Sequence, residues 1–220
     1  MRVDLASPID VGDFRSQANA LLAHQVPPAE IDWHAPVPAT CGWKFRSDDH
    51  ASPQAPSALH SIVPRSFVRL TELVVLHRDE YRFELLYRLL WRLVHEPELA
   101  GARGDSDMAL AQSMAQAVRR DVLKIRKTLR LRPLAPQDGV PLARAWCEPQ
   151  HRVTELVAEW LARHHPTPPW VLASPDRCVL WTGRHLLCGP GLAPMAAHTM
   201  NDEDWHALAA QLAEEPAVTS

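Results

Sequence analysis

The longest regular pattern in the chain covers 111–132, AQSMAQAVRRDVLKIRKTLRLR. Wound at roughly 100° per residue, it puts Ala111, Met114, Ala115, Val118, Val122, Ile125 and Leu129 on one apolar stripe. Arg120, Lys124 and Lys127 fall on the opposite face, with Arg119, Arg126 and Arg130 beside them. A helix is predicted here, capped by Ser106 or Asp107 and ending near Lys127. Beyond it, apolar and basic residues alternate over 128–132. That period predicts a strand with Leu129 and Leu131 inward and Arg130 and Arg132 outward.

Upstream, 1–5 reads as a short strand. A helix follows within 9–24, with Phe14, Ala18, Leu21 and Leu22 inward and Asp10 or Asp13 as cap. Pro27 and Pro28 stop it. Ile31, Asp32 and Trp33 suit a second short strand. Residues 35–61 carry Pro36, Pro38, Pro53 and Pro56 among Ser, Asp and His, the composition of a linker or surface loop. CGWKF at 41–45 is its one apolar island. Pro64 opens another helix with Phe67, Leu70, Val74 and His77 inward. The segment 80–95, capped by Asp79, is apolar around most of its circumference, which predicts a helix central to its domain. Its leftover cations are Arg82, Arg88 and Arg92. Arg88 and Arg92 share a face and either widen a basic surface or snorkel to water.

Downstream, 133–141 is a loop and 144–148 a strand. A helix over 152–165 turns Val153, Leu156, Val157, Trp160 and Leu161 inward. A strand over 170–173 precedes a hairpin, 178–181 with 184–188, closed about Thr182 and Gly183. That loop length pairs Trp181 with Arg184 and Cys178 with Leu187. Residues 189–194 are irregular, 202–212 form a short helix, and 214–220 a frayed, disordered tail. The expected fold is α+β, a helical layer packed on a small, largely antiparallel sheet. The expected organisation is an N-terminal appendage over 1–34, the linker 35–61, a main α+β domain over 62–213, and the tail.

Apolar residues make up 46 % of the 220, enough for a real core. The net charge of −3 excludes a general polycation, but the charge is uneven. Residues 65–132 hold fourteen basic and nine acidic side chains, and the remainder nine and seventeen. Within 119–132 there are seven basic residues and one acid, Asp121. A basic middle on an acidic background points to one anion-facing surface. The four cysteines, 41, 147, 178 and 188, show no CxxC spacing, and 178 and 188 point to opposite faces of the predicted hairpin. This implies reduced thiols in a cytoplasmic protein. No apolar run approaches the ~18 residues of a membrane span.

One corner carries candidate chemistry. In Cys147-Glu148-Pro149-Gln150-His151, a carboxylate and an imidazole stand at a strand-to-helix junction. Glu148 and His151 are either an acid–base pair, or part of a metal site, or a cluster that caps the following helix. Elsewhere the sequence has no HExxH, GxGxxG, Walker loop or GxSxG, so no metal and no cofactor is expected. Trp170 and Trp181 suit either base stacking or the core, and short-strand tryptophans belong more often to the core.

Five segments carry a resemblance: VPRSFVRL (63–70), LHRDEYRFELLYRLLWRL (76–93), MAQAVRRDVLKIRK (114–127), AWCEPQHRV (145–153) and WVLASPDRCVLWTG (170–183). Together they resemble a bacterial domain family associated with uracil-DNA-glycosylase-like proteins and with a DNA-repair radical-SAM protein. The resemblance implies DNA metabolism as the context and such an enzyme as partner. It also supports a helix-to-strand change after the basic helix, and the family shares the Glu-Pro-x-His pattern at 148–151. Here Leu123 stands where the family usually has histidine, and Thr128, Leu129 and Leu131 stand in place of its phenylalanine-rich strand. The family's tyrosine-rich C-terminal segment and its fused glycosylase module have no counterpart, which argues against base excision by this chain.

Three readings of function follow. The first is a non-catalytic accessory protein that binds DNA through Arg119, Arg120, Lys124, Arg126, Lys127 and Arg130. The second is an enzyme acting on DNA or a nucleotide with Glu148 and His151 at its site. The third is a protein–protein adaptor whose basic helix meets an acidic partner.

Overall fold

A computed structural model describes residues 1–35, 63–96, 104–137 and 139–214. Most of the predicted linker, with its apolar island, and the end of the tail lie outside the described residues. The fold is α+β: among the described residues there are seven α-helices and a five-stranded sheet. The chain divides into two compact units, the first ending at Arg120 and the second beginning at Asp121.

The first unit contains β1 (Arg2–Asp4), α1 (Val11–Ala23), β2 (Asp32–His34), α2 (Arg65–Val74) and α3 (Arg82–His95), together with the beginning of α4 (Ser106–Thr128). β1 and β2 pair in parallel, Val3 opposite Trp33. As the all-round apolar pattern predicts, α3 is central: Phe83 is 1 % exposed, and Leu86, Tyr87 and Leu89 are fully buried. Its aromatic rings join Phe14 and Trp33, with centroids 5.4 Å apart for Phe14–Phe83 and 5.8 Å for Trp33–Tyr87. Such pairs add to the burial of apolar area.

Two caps differ from expectation. Asp79 accepts from the Tyr81 N–H in the turn before α3, which itself begins at Arg82. α4 is capped by Asp105, whose Oδ1 accepts from Met108 N–H at 2.8 Å, and not by Ser106 or Asp107. Asp105 has the three-residue spacing a capping carboxylate needs, and Asp107 is spent elsewhere. At α1 it is Asp10 that caps, accepting from Asp13 N–H at 3.0 Å.

The second unit carries the sheet, in the order β3-β4-β5-β6-β7, from β3 (Arg132–Pro133), β4 (Ala143–Trp146), β5 (Trp170–Ala173), β6 (Arg177–Trp181) and β7 (Leu186–Pro190). β4 and β5 run parallel, joined by α5 (Thr154–His164), and the other neighbours are antiparallel. α6 (Pro194–Thr199) and α7 (Asp202–Glu214) follow. The inner sheet face packs Val171, Ala173 and Leu180 with Leu134, Leu142, Trp205 and Leu212.

The strand predicted over 128–132 is corrected. α4 runs on through Thr128, pairing starts only at Arg132, and the side chain that becomes buried is Leu134. Leu129 still extends the helical stripe, its N–H donating to Ile125 O at 2.7 Å. The hairpin register is also corrected: Trp181 pairs with Leu186 and Cys178 with Gly189. The Thr182 hydroxyl accepts from the Arg184 and His185 N–H groups, while Gly183 takes φ +90. This makes a four-residue loop where two residues were expected. The shift is two residues, so Cys178 and Cys188 keep opposite faces. Cys147, Cys178 and Cys188 are free. Trp170 and Trp181 are buried core residues that donate their indole N–H groups to the His165 and Pro166 carbonyls. Gly191 is required by close approach: a Cβ there would overlap the Pro175 backbone.

Among the described residues no helix is long and apolar enough to cross a membrane.

Candidate functional site

The basic stretch lies on the last turns of α4. Val118, Val122 and Ile125 are buried, which turns the opposite face outward. Arg119, Arg120, Lys124, Lys127 and Arg130 are all exposed. Among the described residues Arg119, Arg120, Lys124 and Lys127 have no carboxylate partner. Arg130 folds back on the helix end, its Nη1 donating to the Lys127 and Leu129 carbonyls at 2.9 and 2.8 Å. These carbonyls belong to the negative end of the helix, where a cation is favoured.

Asp121, the one acid of the stretch, is 4 % exposed. Its Oδ2 accepts from the His151 N–H at 2.9 Å. The carboxylate therefore anchors the loop that leads into α5, and it makes no ion pair with the cations of the outer face. Asp121 thus reaches the corner formed by residues 148–151.

Arg126 stands apart from the other five. It is half-buried, with its guanidinium carbon 5.3 Å from the centroid of the Trp160 ring on α5. Burial, and then the positive charge of Arg163, pull its pKa down. Arg126 therefore faces α5 and not the face shared by Arg120, Lys124 and Lys127.

Glu148 and His151 play different parts. Glu148 is exposed, and its Oε1 accepts from Trp146 Nε1–H at 3.0 Å. It lines a cleft of about 270 Å³ with Lys124, Ile125, Thr128, Leu129, Trp146, Cys147 and His198. His151 does not line this cleft. Its backbone N–H donates to Asp121 ahead of α5, which begins at Thr154 with no side-chain cap, so this corner does not cap the helix as one reading expected.

His198 on α6 takes the place beside Glu148 that the sequence suggested for His151. The His198 and Trp146 rings meet edge-on, with centroids 6.0 Å apart. The His198 Nδ1 lies 2.6 Å from Pro194 O. With Nδ1 protonated, that contact leaves Nε2 as the basic nitrogen. His198 sits in the six-residue α6, too short for periodicity to reveal. Cys147 also lines the cleft; burial, reinforced by Asp121, Asp176 and Glu148, pushes its thiol up to about 12, which disfavours the thiolate.

A second polar cluster is closed and structural. Arg177 Nε donates to Glu155 Oε1 at 3.0 Å, with side chains 6 % and 5 % exposed. The Ser174 hydroxyl meets Thr154 Oγ1 at 2.9 Å and accepts from Arg177 N–H at 3.1 Å. Burial pushes the Glu155 carboxyl up and the Arg177 charge opposes it. Among the described residues no group of three or more His, Cys, Asp or Glu side chains is assembled that could hold a metal ion.

A family model described as a domain of unknown function, DUF4130, matches residues 80–211. The chain belongs to that family. The match takes in α3, α4, the whole sheet and the cleft. No curated protein and no solved structure matches the chain.

Proposed function

We propose that the protein is a nucleic-acid-binding accessory of DNA metabolism, non-catalytic in itself, that holds its ligand on the outer face of α4. One observation carries this reading. The only carboxylate of 119–132, Asp121, is buried and accepts from the His151 N–H, and among the described residues Arg119, Arg120, Lys124 and Lys127 make no ion pair. A field of one sign on a rigid helix suits the regularly spaced charges of a phosphate backbone. The face offers no set of side chains for reading base edges, so sequence preference is weak. The resemblance to the glycosylase-associated family supports DNA as ligand and a repair enzyme as partner, of the radical-SAM or uracil-DNA-glycosylase-like kind.

The test is anisotropy of a labelled DNA duplex at stepped salt. Affinity falls with a log–log slope near −0.9 per phosphate neutralised. Lys124→Ala with Lys127→Ala weakens binding equally for unrelated sequences and flattens that slope by roughly one to two units. Binding absent at low salt, or unaltered in the double variant, overturns the reading and favours the adaptor.

A second reading has an observation of its own. The cleft brings the Glu148 carboxylate, the His198 imidazole and the Lys124 ammonium to one small concavity, a combination that supports general acid–base chemistry. Glu148→Gln or His198→Ala that abolishes activity in a reconstituted repair assay, with oligonucleotide binding intact, favours the enzyme.

A further inference from the structure

Beside the α4 face lies a feature that the basic pattern does not explain. Arg126 is the one cation of the stretch turned toward α5, and its guanidinium rests against the Trp160 ring. Its Nε is buried with no hydrogen-bond acceptor, and among the described residues the group makes no ion pair. A buried donor left unpaired is costly, and natural folds rarely tolerate one without a use.

The neighbours on α5 add a second cation and no strong neutralising partner. Arg163 is three residues beyond Trp160 and its side chain is 64 % exposed. Its Nη2 reaches Glu159 Oε2 only at 3.9 Å, and its Nε donates to the Glu159 carbonyl at 3.3 Å. Its charge is close enough to oppose that of Arg126. His164 packs on Trp160, ring centroids 4.8 Å apart, and its Nδ1 lies 2.8 Å from Trp160 O. Trp160 is thus fixed by His164 and in turn fixes Arg126. The Arg126 guanidinium rests on the Trp160 ring with its Nε–H unspent, and Arg163 stands one helical turn beyond that ring. A tetrahedral oxyanion accepts from two guanidinium forks and relieves their repulsion.

We propose that Arg126, resting on the Trp160 ring, and Arg163, one helical turn beyond that ring on α5, form a two-guanidinium clamp for one phosphodiester group of the nucleic-acid backbone. The clamp rests on the reading of α4 as a nucleic-acid face and deepens it. It adds one directional contact on the α5 side of that face, where Lys124 and Lys127 act as point charges. Arg130, four residues beyond Arg126, carries the positive track on to the helix end.

The same anisotropy assay tests it with three variants. Arg163→Gln, at an exposed position that folding tolerates, weakens binding about tenfold, the loss of a hydrogen bond to a charged group. Arg126→Lys keeps the charge and removes the fork, and weakens binding by a similar factor. Trp160→Leu releases Arg126 and has the same effect. A second readout uses inorganic phosphate: the Arg126 Nε–H resonance, assigned by its loss in Arg126→Lys, shifts on titration in the wild type and stays fixed in Arg163→Gln. If the Lys124/Lys127 variant loses affinity while Arg163→Gln and Arg126→Lys bind like wild type, the clamp is overturned and the α4 reading stands. If the wild type binds no oligonucleotide at low salt, both are overturned.

Discussion

Two helices of this protein are rich in arginine and lysine, and they use the charge in opposite ways. On α3 every arginine is occupied. Arg82 is 3 % exposed and donates to the carbonyls of Val75, Asp79 and Pro8 at 2.8, 2.8 and 2.9 Å. Arg88 forks onto both oxygens of Asp107, at 2.9 and 3.0 Å, and Arg92 reaches Asp105 at 2.6 Å. These side chains tie the first turn of α4 and the loop before α1 to the central helix. They neither widen a basic surface nor simply snorkel. On the last turns of α4 the cations other than Arg126 face outward, and the one acid of the stretch, Asp121, is turned inward. Both places carry an excess of cations, three arginines to one acid over 82–95 and seven basic residues to one acid over 119–132, and the excess alone does not distinguish mortar from binding face. What distinguishes them is where the acceptors lie in three dimensions.

The contrast sets an order of expected effects on stability, read by urea unfolding. Arg82→Met keeps bulk but strands three carbonyls at a buried site, and costs about 3 kcal/mol. An unchanged midpoint would show that Arg82 is no more structural than a surface arginine. Asp121→Ala removes the acceptor of the His151 N–H and costs about 1–2 kcal/mol, leaving the salt slope of DNA binding intact. A changed slope would place Asp121 on the charged face after all.

Acidification probes the α3 partners. The Met108 N–H and Arg92 hold Asp105 below the ordinary aspartate value of 3.8, and Arg88 holds Asp107 below it. A depressed folded pKa means stability that is fully present above that ordinary value and lost as pH falls through the folded values. Melting temperature against pH therefore shows an acid limb, and Asp107→Asn flattens it. Smallest of all is Lys124→Ala with Lys127→Ala, which moves stability by no more than roughly 0.5 kcal/mol because exposed charges contribute little. A larger loss would assign these lysines to the fold.

Much of the fold was legible before the structure. The stripe from Ala111 to Ile125 is buried as its period requires, and α3 is central because its apolar residues surround it. The α4 boundary at Thr128 was read within a residue, but the strand after it was not. Alternation over five residues resembles a continuing amphipathic turn as much as a strand, and here the helix kept its last carbonyls. The hairpin turn was missed because Thr182 closes a loop with its own hydroxyl, a preference that the Thr-Gly pair does not advertise. The candidate site was half legible. Lys124 and Glu148 belong to one cleft as named residues, whereas His198 reaches it from a short helix with no pattern of its own.

The sequence by itself determined the class of fold, the inward stripes of the helices and the position of the basic segment. Each of these follows from local periodicity and composition, which act over a few residues. Only the tertiary structure decided which charges remain available. Asp121 is buried against an N–H thirty residues away. Arg88 is silenced by Asp107, nineteen residues away, and Arg126 is drawn aside by the Trp160 ring. Hydrogen bonds and desolvation act through space at a few ångströms, and separation along the chain carries no record of them.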